Sequence, residues 1–192
     1  MSRQITPETD LQALADRLVA ELVGLVDNGV ATPILLIDGR AGSGKSTLAE
    51  QLKNRLFKEG ESLPRVIHMD DLYEGWRGLQ TGVDILNRQI LGQLGKGVGA
   101  SWQEWDWAAG ERGKWREFRG GTPLIVEGVG ALNRISAEHS AIRVWLEVDE
   151  QVRFERWVER EGSDEHWAEW SAQELEFYAR ERSSELATLV FG

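Results

Sequence analysis

Nine consecutive residues constrain this chain more than any others. Gly39-Arg40-Ala41-Gly42-Ser43-Gly44-Lys45-Ser46-Thr47 follow directly on the apolar run Thr32-Pro33-Ile34-Leu35-Leu36-Ile37-Asp38. The glycines let the backbone turn tightly with its amides pointing inward at phosphate oxygens. Lys45 is placed to reach the terminal phosphates, and the Ser46 hydroxyl to ligate Mg²⁺. This is the spacing of a Walker A phosphate-binding loop. A stray glycine-rich turn would lack its flanks: a β-branched and leucine run suited to a buried strand before it, and Leu48, Leu52, Leu56 and Phe57 at helical spacing after it. The expectation is a nucleotide binder with ATP and Mg²⁺ as cofactors.

With 192 residues and 41 % hydrophobic content, the chain fits one α/β domain with a sizeable core. No apolar run approaches the roughly 18 residues of a membrane span, and the N-terminus has no basic region followed by a hydrophobic stretch. The expected location is the cytoplasm, with no membrane partner. There is no cysteine, and His68, His139 and His166 are scattered, so any metal is expected on oxygen ligands. A formal net charge of −10 argues against stable nucleic-acid binding. A small-molecule substrate is the expected partner, and a homo-oligomer is compatible with the sequence.

Residues 7–28 read as an amphipathic helix, with Leu11, Leu14, Leu18, Leu22 and Leu25 on one side and Asn28-Gly29 as its stop. After the P-loop comes a helix to about Gly60, then a strand over Pro64–Met69 ending in Asp70-Asp71-Leu72-Tyr73. Acids at the C-terminal end of a strand sit where α/β sheets bind ligands. Residues 81–94 read as helix, Gly95–Gly99 as loop, Ser101–Trp107 as an aromatic strand, and Ala108–Gly121 as an exposed, mobile, glycine-rich segment. Two buried strands follow, over 123–128 and 141–148, then helices at about 149–161 and 164–184 and a short strand over 187–191. Strands alternating with helices imply a P-loop NTPase-like parallel sheet of about five strands flanked by helices, all in a single domain over 1–192.

A P-loop alone does not separate kinases from other nucleotide-binding proteins. The chain has no Asn-Lys-x-Asp sequence and no Leu-Ser-Gly-Gly sequence, and it does have the acid-rich Asp70-x-x-Tyr73 turn. At this point it resembles the uridine kinase and phosphoribulokinase group of P-loop kinases, which includes bacterial pantothenate kinase. The resemblance rests on the P-loop, on Asp70-x-x-Tyr73, on Val126-Glu127-Gly128 and on Val148-Asp149-Glu150-Gln151-Val152-Arg153-Phe154-Glu155-Arg156, and it covers about residues 32–160. It implies that Asp70 is the general base toward an acceptor hydroxyl. It also implies that Glu127 orients Mg²⁺ or a substrate hydroxyl together with Ser46, and that arginines of the last segment approach the phosphates. Arg153, Arg156 and Arg160 share one helical face by spacing; a phosphate clamp competes with surface pairing to Glu155 and Glu159. Tyr73, Trp76, Trp105 and Trp107 are candidates for the acceptor wall, with Asp106 gripping a hydroxyl, and Asp71 reads as a cap.

The sequence departs from the group in two places. The stretch Gly75–Gly99 is not a clean match, and the helical lid expected at about 157–170 reads Glu161-Gly162-Ser163-Asp164-Glu165-His166-Trp167, acidic where uridine kinases are basic. The leading expectation is an ATP-dependent transfer to a hydroxyl of a small metabolite, a nucleoside first. A nucleoside monophosphate kinase is the second reading, since Arg77, Arg88, Arg112, Arg116 and Arg119 are available for a phosphorylated acceptor. An ATP-binding regulator or adaptor is the third.

Overall fold

The computed structural model describes residues 9–58 and 63–192. Its elements are α1 (Thr9–Asp27), β1 (Ile34–Asp38), α2 (Lys45–Lys58), β2 (Arg65–His68), α3 (Leu79–Ile85), α4 (Gly92–Leu94), β3 (Ala100–Asp106) and β4 (Glu111–Phe118), followed by β5 (Leu124–Glu127), α5 (Arg134–Ala137), β6 (Ile142–Leu146), α6 (Glu150–Glu161), α7 (Trp167–Glu181), α8 (Ser183–Leu186) and β7 (Leu189–Phe191). Single 3₁₀ turns at Met69–Asp71 and Gly75–Arg77 follow β2. The expected first turn of the N-terminal helix, before residue 9, and the expected end of the P-loop helix near Gly60 lie outside the described residues.

Five parallel strands form the main sheet in the order β2-β5-β1-β6-β7. The near-continuous hydrophobic runs of its strands follow from burial on both faces. Along β1, Leu36 packs into one core while Leu35 and Ile37 pack into the other. The second core is closed by α1, through Leu14, Ala15, Leu18, Val19 and Leu22, and by α2, through Leu48, Leu52 and Leu56. α1 is therefore the packing support its leucine spacing predicts. Among the described residues, no helix is long and apolar enough to cross a membrane.

The helix expected over 81–94 is present, beginning at Leu79, but it is not uniform. α3 passes through a π-helical segment, Leu86–Leu91, before α4. The larger correction concerns 108–121. It is no mobile loop: Glu111–Phe118 is β4, paired antiparallel with β3 in a two-stranded sheet of its own. A tight turn makes the pairing, with Asp106 Oδ1 accepting from the Ala108 and Ala109 amides at 3.0 Å each and Gly110 at φ 69°. Trp102 and Phe118 then anchor the hairpin in the first core. β4 is mostly exposed, so it lacks the clean alternation by which a half-buried strand is read.

Candidate active site

The P-loop joins the C-terminal end of β1 to the N-terminus of α2, so its amides and the positive end of the helix dipole face one cavity of about 850 Å³. Ala41, Gly42, Gly44, Lys45, Ser46 and Thr47 line it. The approach is close enough to demand glycine: a Cβ on Gly42, whose φ is 80°, would stand 2.5 Å from the Arg153 carbonyl oxygen. Lys45 is buried and its Nζ donates to the carbonyls of Gly39 at 2.8 Å and Arg40 at 3.0 Å. The Ser43 side chain is buried beneath the loop, and Arg40 turns away into a second depression beside Trp145 and Tyr178.

Across the cavity from the loop, the ends of β2 and β5 supply carboxylates. Glu127 Oε1 accepts from the Ser46 hydroxyl at 2.9 Å and meets His68 Nδ1 at 2.5 Å. That bond raises the His68 pKa, with the nearby charges of Glu127, Asp71 and Asp70 acting in the same direction. Asp70 opens onto the cavity from the first 3₁₀ turn. Its carboxyl is reached by cavity solvent but enclosed by protein on its other sides. That enclosure, and then the charge of Glu127, push its pKa up, while Arg160, Lys45 and His68 oppose the shift. A hydroxyl and two carboxylates are hard oxygen donors that fit Mg²⁺. Among the described residues no group of three or more acids, histidines or cysteines encloses a metal, so a cation here would complete its shell with phosphate oxygens and water.

The remaining wall is aromatic and comes from four separate segments: Tyr73 and Trp76 after β2, Trp107 at the hairpin tip, Trp157 on α6 and Trp170 on α7. Trp76 stands at its centre, 5.0 Å from Trp107, 5.6 Å from Trp157 and stacked on His166 at 4.3 Å between ring centroids. The buried Tyr73 packs 4.9 Å from Trp170 and donates its hydroxyl to the Val129 carbonyl at 2.7 Å, so it offers the cavity a ring rather than a free hydroxyl. Trp107 Nε1 donates to the Asp70 carbonyl at 3.0 Å, which ties the hairpin to the loop that carries the acid. Arg112 reinforces this tie through Glu74 and the Leu72 carbonyl.

The arginine face divides its tasks. Arg160 and Arg156 line the cavity, and Arg156 Nη1 donates to the Gly42 carbonyl at 3.2 Å. Arg153 is buried and does not line it; its guanidinium donates to the carbonyls of Val148 and Ala41, bracing the P-loop from behind. Neither Arg153, Arg156 nor Arg160 pairs with Glu155 or Glu159; Arg160 bonds its neighbour Glu161 at 2.7 Å. Asp106 is apart from the cavity, engaged in the hairpin turn, and Trp105 lies under Arg112 on the hairpin rather than in the wall.

Two buried acids went unsingled in the sequence. Asp38, at the end of β1, accepts from the amides of Gly39, Gly130 and Leu132 and from the Tyr178 hydroxyl. Burial still outweighs those bonds and raises its pKa to about 6. Glu174 on α7 accepts from the Ala41 amide at 2.7 Å and from Trp170 Nε1 at 3.0 Å. A strand-end acid running into the P-loop was a visible signal for Asp38. Glu174 had none, because 133 residues separate it from its partner in the loop.

No curated protein matches the chain. Among solved structures, a Bacillus stearothermophilus protein assigned as a possible uridine kinase aligns with a TM-score of 0.68 and 24% identity over 95% of this chain and 100% of that one. A Silicibacter sp. TM1040 protein provisionally assigned as a fructose transport system kinase aligns with a TM-score of 0.65 and 21% identity over 95% and 98%. The likeness shows the fold, a P-loop NTPase-like α/β sheet flanked by helices, as the sheet and P-loop indicated. The AAA domain family matches residues 35–178, well over half of the chain, and the chain belongs to that family.

Proposed function

We propose that the protein is an ATP-dependent phosphotransferase acting on a hydroxyl of a small metabolite, with a nucleoside as the first candidate. One observation carries this reading: Lys45, Ser46, Asp70 and Glu127, drawn from the start of one helix and the ends of two strands, line the same cavity. A protein that only binds nucleotide has little use for a carboxylate facing its phosphate loop.

In this reading the P-loop amides and Lys45 hold the phosphates, Lys45 exchanging its bonds to the Gly39 and Arg40 carbonyls for phosphate oxygens. Asp70 accepts the proton of the acceptor hydroxyl as it attacks. Its raised pKa makes it a stronger base than an ordinary aspartate. Ser46 and Glu127 would hold Mg²⁺, which supplies charge neutralisation on the phosphates when bound. Arg156 and Arg160 stand where they can stabilise charge on the transferred group. Trp157, Arg160 and Glu161 belong to the end of α6, and movement of the 157–170 segment over the cavity would exclude water.

The acceptor end favours this over a nucleoside monophosphate kinase. It carries Asp70, Asp71 and Glu161 among aromatic rings, and of the two guanidiniums lining the cavity Arg156 bonds the P-loop and Arg160 bonds Glu161. Arg112 and Arg116 are committed to Glu74 and Glu104. An acceptor that already bears a phosphate would meet net negative charge there. The deciding experiment is Mg²⁺-dependent ADP release from ATP with nucleosides, sugars, pantothenate and nucleoside monophosphates, run beside Asp70→Ala. Turnover with an uncharged alcohol that is lost in the variant is expected. Turnover restricted to monophosphates, or retained in the variant, would sink the proposal.

A further inference from the structure

Glu174 is fully buried, and one of its oxygens does two things. Oε1 accepts from the amide of Ala41 in the P-loop and from Nε1 of Trp170, whose ring lines the acceptor end of the cavity. The other oxygen, Oε2, is buried with no hydrogen-bond partner among the described residues. A buried carboxylate with one oxygen unpartnered carries a desolvation cost of its own. The same peptide region is gripped from the opposite side, where Arg153 donates to the Ala41 carbonyl and Arg156 to that of Gly42. The outer bend of the P-loop thus hangs between three side chains, and the one on α7 is shared with an aromatic wall residue.

We propose that Glu174 is a positioning residue that couples the acceptor wall to the phosphate loop, so that displacement of Trp170 and occupation of the P-loop are felt by each other through a single oxygen. The inference rests on the reading of the P-loop as an ATP site. Glu174 touches no reacting atom in that reading; it acts through the orientation of the Ala41 amide and of the Trp170 ring. Two neighbours that share one acceptor cannot shift independently, because lengthening either bond changes the charge available to the other. The arrangement gives α7 a mechanical hold on the P-loop without any contact to nucleotide.

The test is a double-mutant cycle read in the affinity for Mg·ATP by calorimetry, with thermal unfolding recorded for every variant. Trp170→Phe keeps a ring but removes the shared donor; Glu174→Ala removes the acceptor, and Glu174→Gln retains it. Trp170→Phe is expected to weaken ATP binding about threefold in the wild-type background and to have no further effect beside Glu174→Ala. Glu174→Ala alone should weaken it about tenfold, with Glu174→Gln restoring affinity to within about twofold. Additive effects in the cycle, or wild-type affinity in Glu174→Ala, would overturn the coupling. Should Glu174→Ala unfold, the wild-type protein still decides: an ATP-dependent change in Trp170 emission, taken as the difference from Trp170→Phe, supports the coupling, and its absence overturns it. A wild-type protein that binds no ATP refutes the phosphotransferase reading instead.

Discussion

The two halves of the cavity are built on opposite plans. The phosphate half is one continuous segment whose work is done by backbone amides, glycine geometry and a single lysine, and whose conformation is dictated by the strand before it and the helix after it. The half proposed to take the acceptor is five aromatic rings and three acids from four segments that lie far apart in the chain, held together by ring packing and a few bonds to backbone carbonyls. A backbone-built site is local and tolerates little variation, whereas a side-chain-built site depends on the packing of the whole upper face. Loss of function should therefore look different on the two sides: chemistry lost with the fold intact near the P-loop, and binding lost with stability at the acceptor wall.

The largest effect should be at the junction of the halves. Asp70→Asn should lower kcat about 10²- to 10⁴-fold with little change in ATP affinity, measured by steady-state kinetics and calorimetry. The wild-type kcat should fall as pH drops through the pKa of Asp70, since a base acts only when deprotonated. Because that pKa is raised, the acid limb should lie above the ordinary aspartate value of 3.8. A limb at or below that value would mean another group is the base.

Next comes the wall's foundation. Trp102, buried at the base of the hairpin and beneath the Arg65 guanidinium, carries Trp107 and the Asp70 contact only indirectly. Trp102→Ala should cost about 3–5 kcal/mol in chemical denaturation and raise the acceptor KM more than the ATP KM. Equal increases in both would erase the distinction between the halves.

Under the phosphate half, Asp38 sharpens the contrast through pH. Its pKa is raised from 3.8 to about 6 in the folded chain, so the folded state favours its protonated form. The stability it contributes is fully present below the unfolded value and is lost as pH rises through the folded one. The stability of the wild type relative to Asp38→Asn should fall by up to about 3 kcal/mol between pH 4 and 7. A flat difference would place Asp38 outside the titration. The smallest effect belongs to Asp106: Asp106→Ala should cost about 1 kcal/mol through the hairpin turn and change kcat less than threefold. A hundredfold loss would put Asp106 at the acceptor after all and undo its assignment to the turn.

What could be read in advance follows the same division. The strands ending in Asp38, His68 and Glu127 stood out as short apolar runs closed by polar residues, and the P-loop stood out by spacing, because each is a local pattern imposed by a local requirement. The hairpin strand Glu111–Phe118 did not, since only its last residue is buried and its polar face resembles a loop. Trp105 looked like a wall residue and Asp106, by the resemblance, like the acid for an acceptor hydroxyl, yet Trp105 packs under Arg112 on the hairpin and Asp106 is taken up by the turn that follows it. Arg153 looked identical to Arg156 and Arg160 on the helical face, yet its guanidinium is buried against the carbonyls of Val148 and Ala41 and braces the P-loop.

The sequence by itself determined the α/β plan, the phosphate loop with its lysine and hydroxyl, and the acids at the strand ends, because these depend on periodicity and on backbone conformations that few residues can adopt. Only the tertiary structure decided which tryptophans face the cavity, which arginine braces rather than binds, and that a buried glutamate of α7 reaches the P-loop. Those outcomes depend on where distant segments meet once the sheet's first core has closed, and no local pattern carries that information.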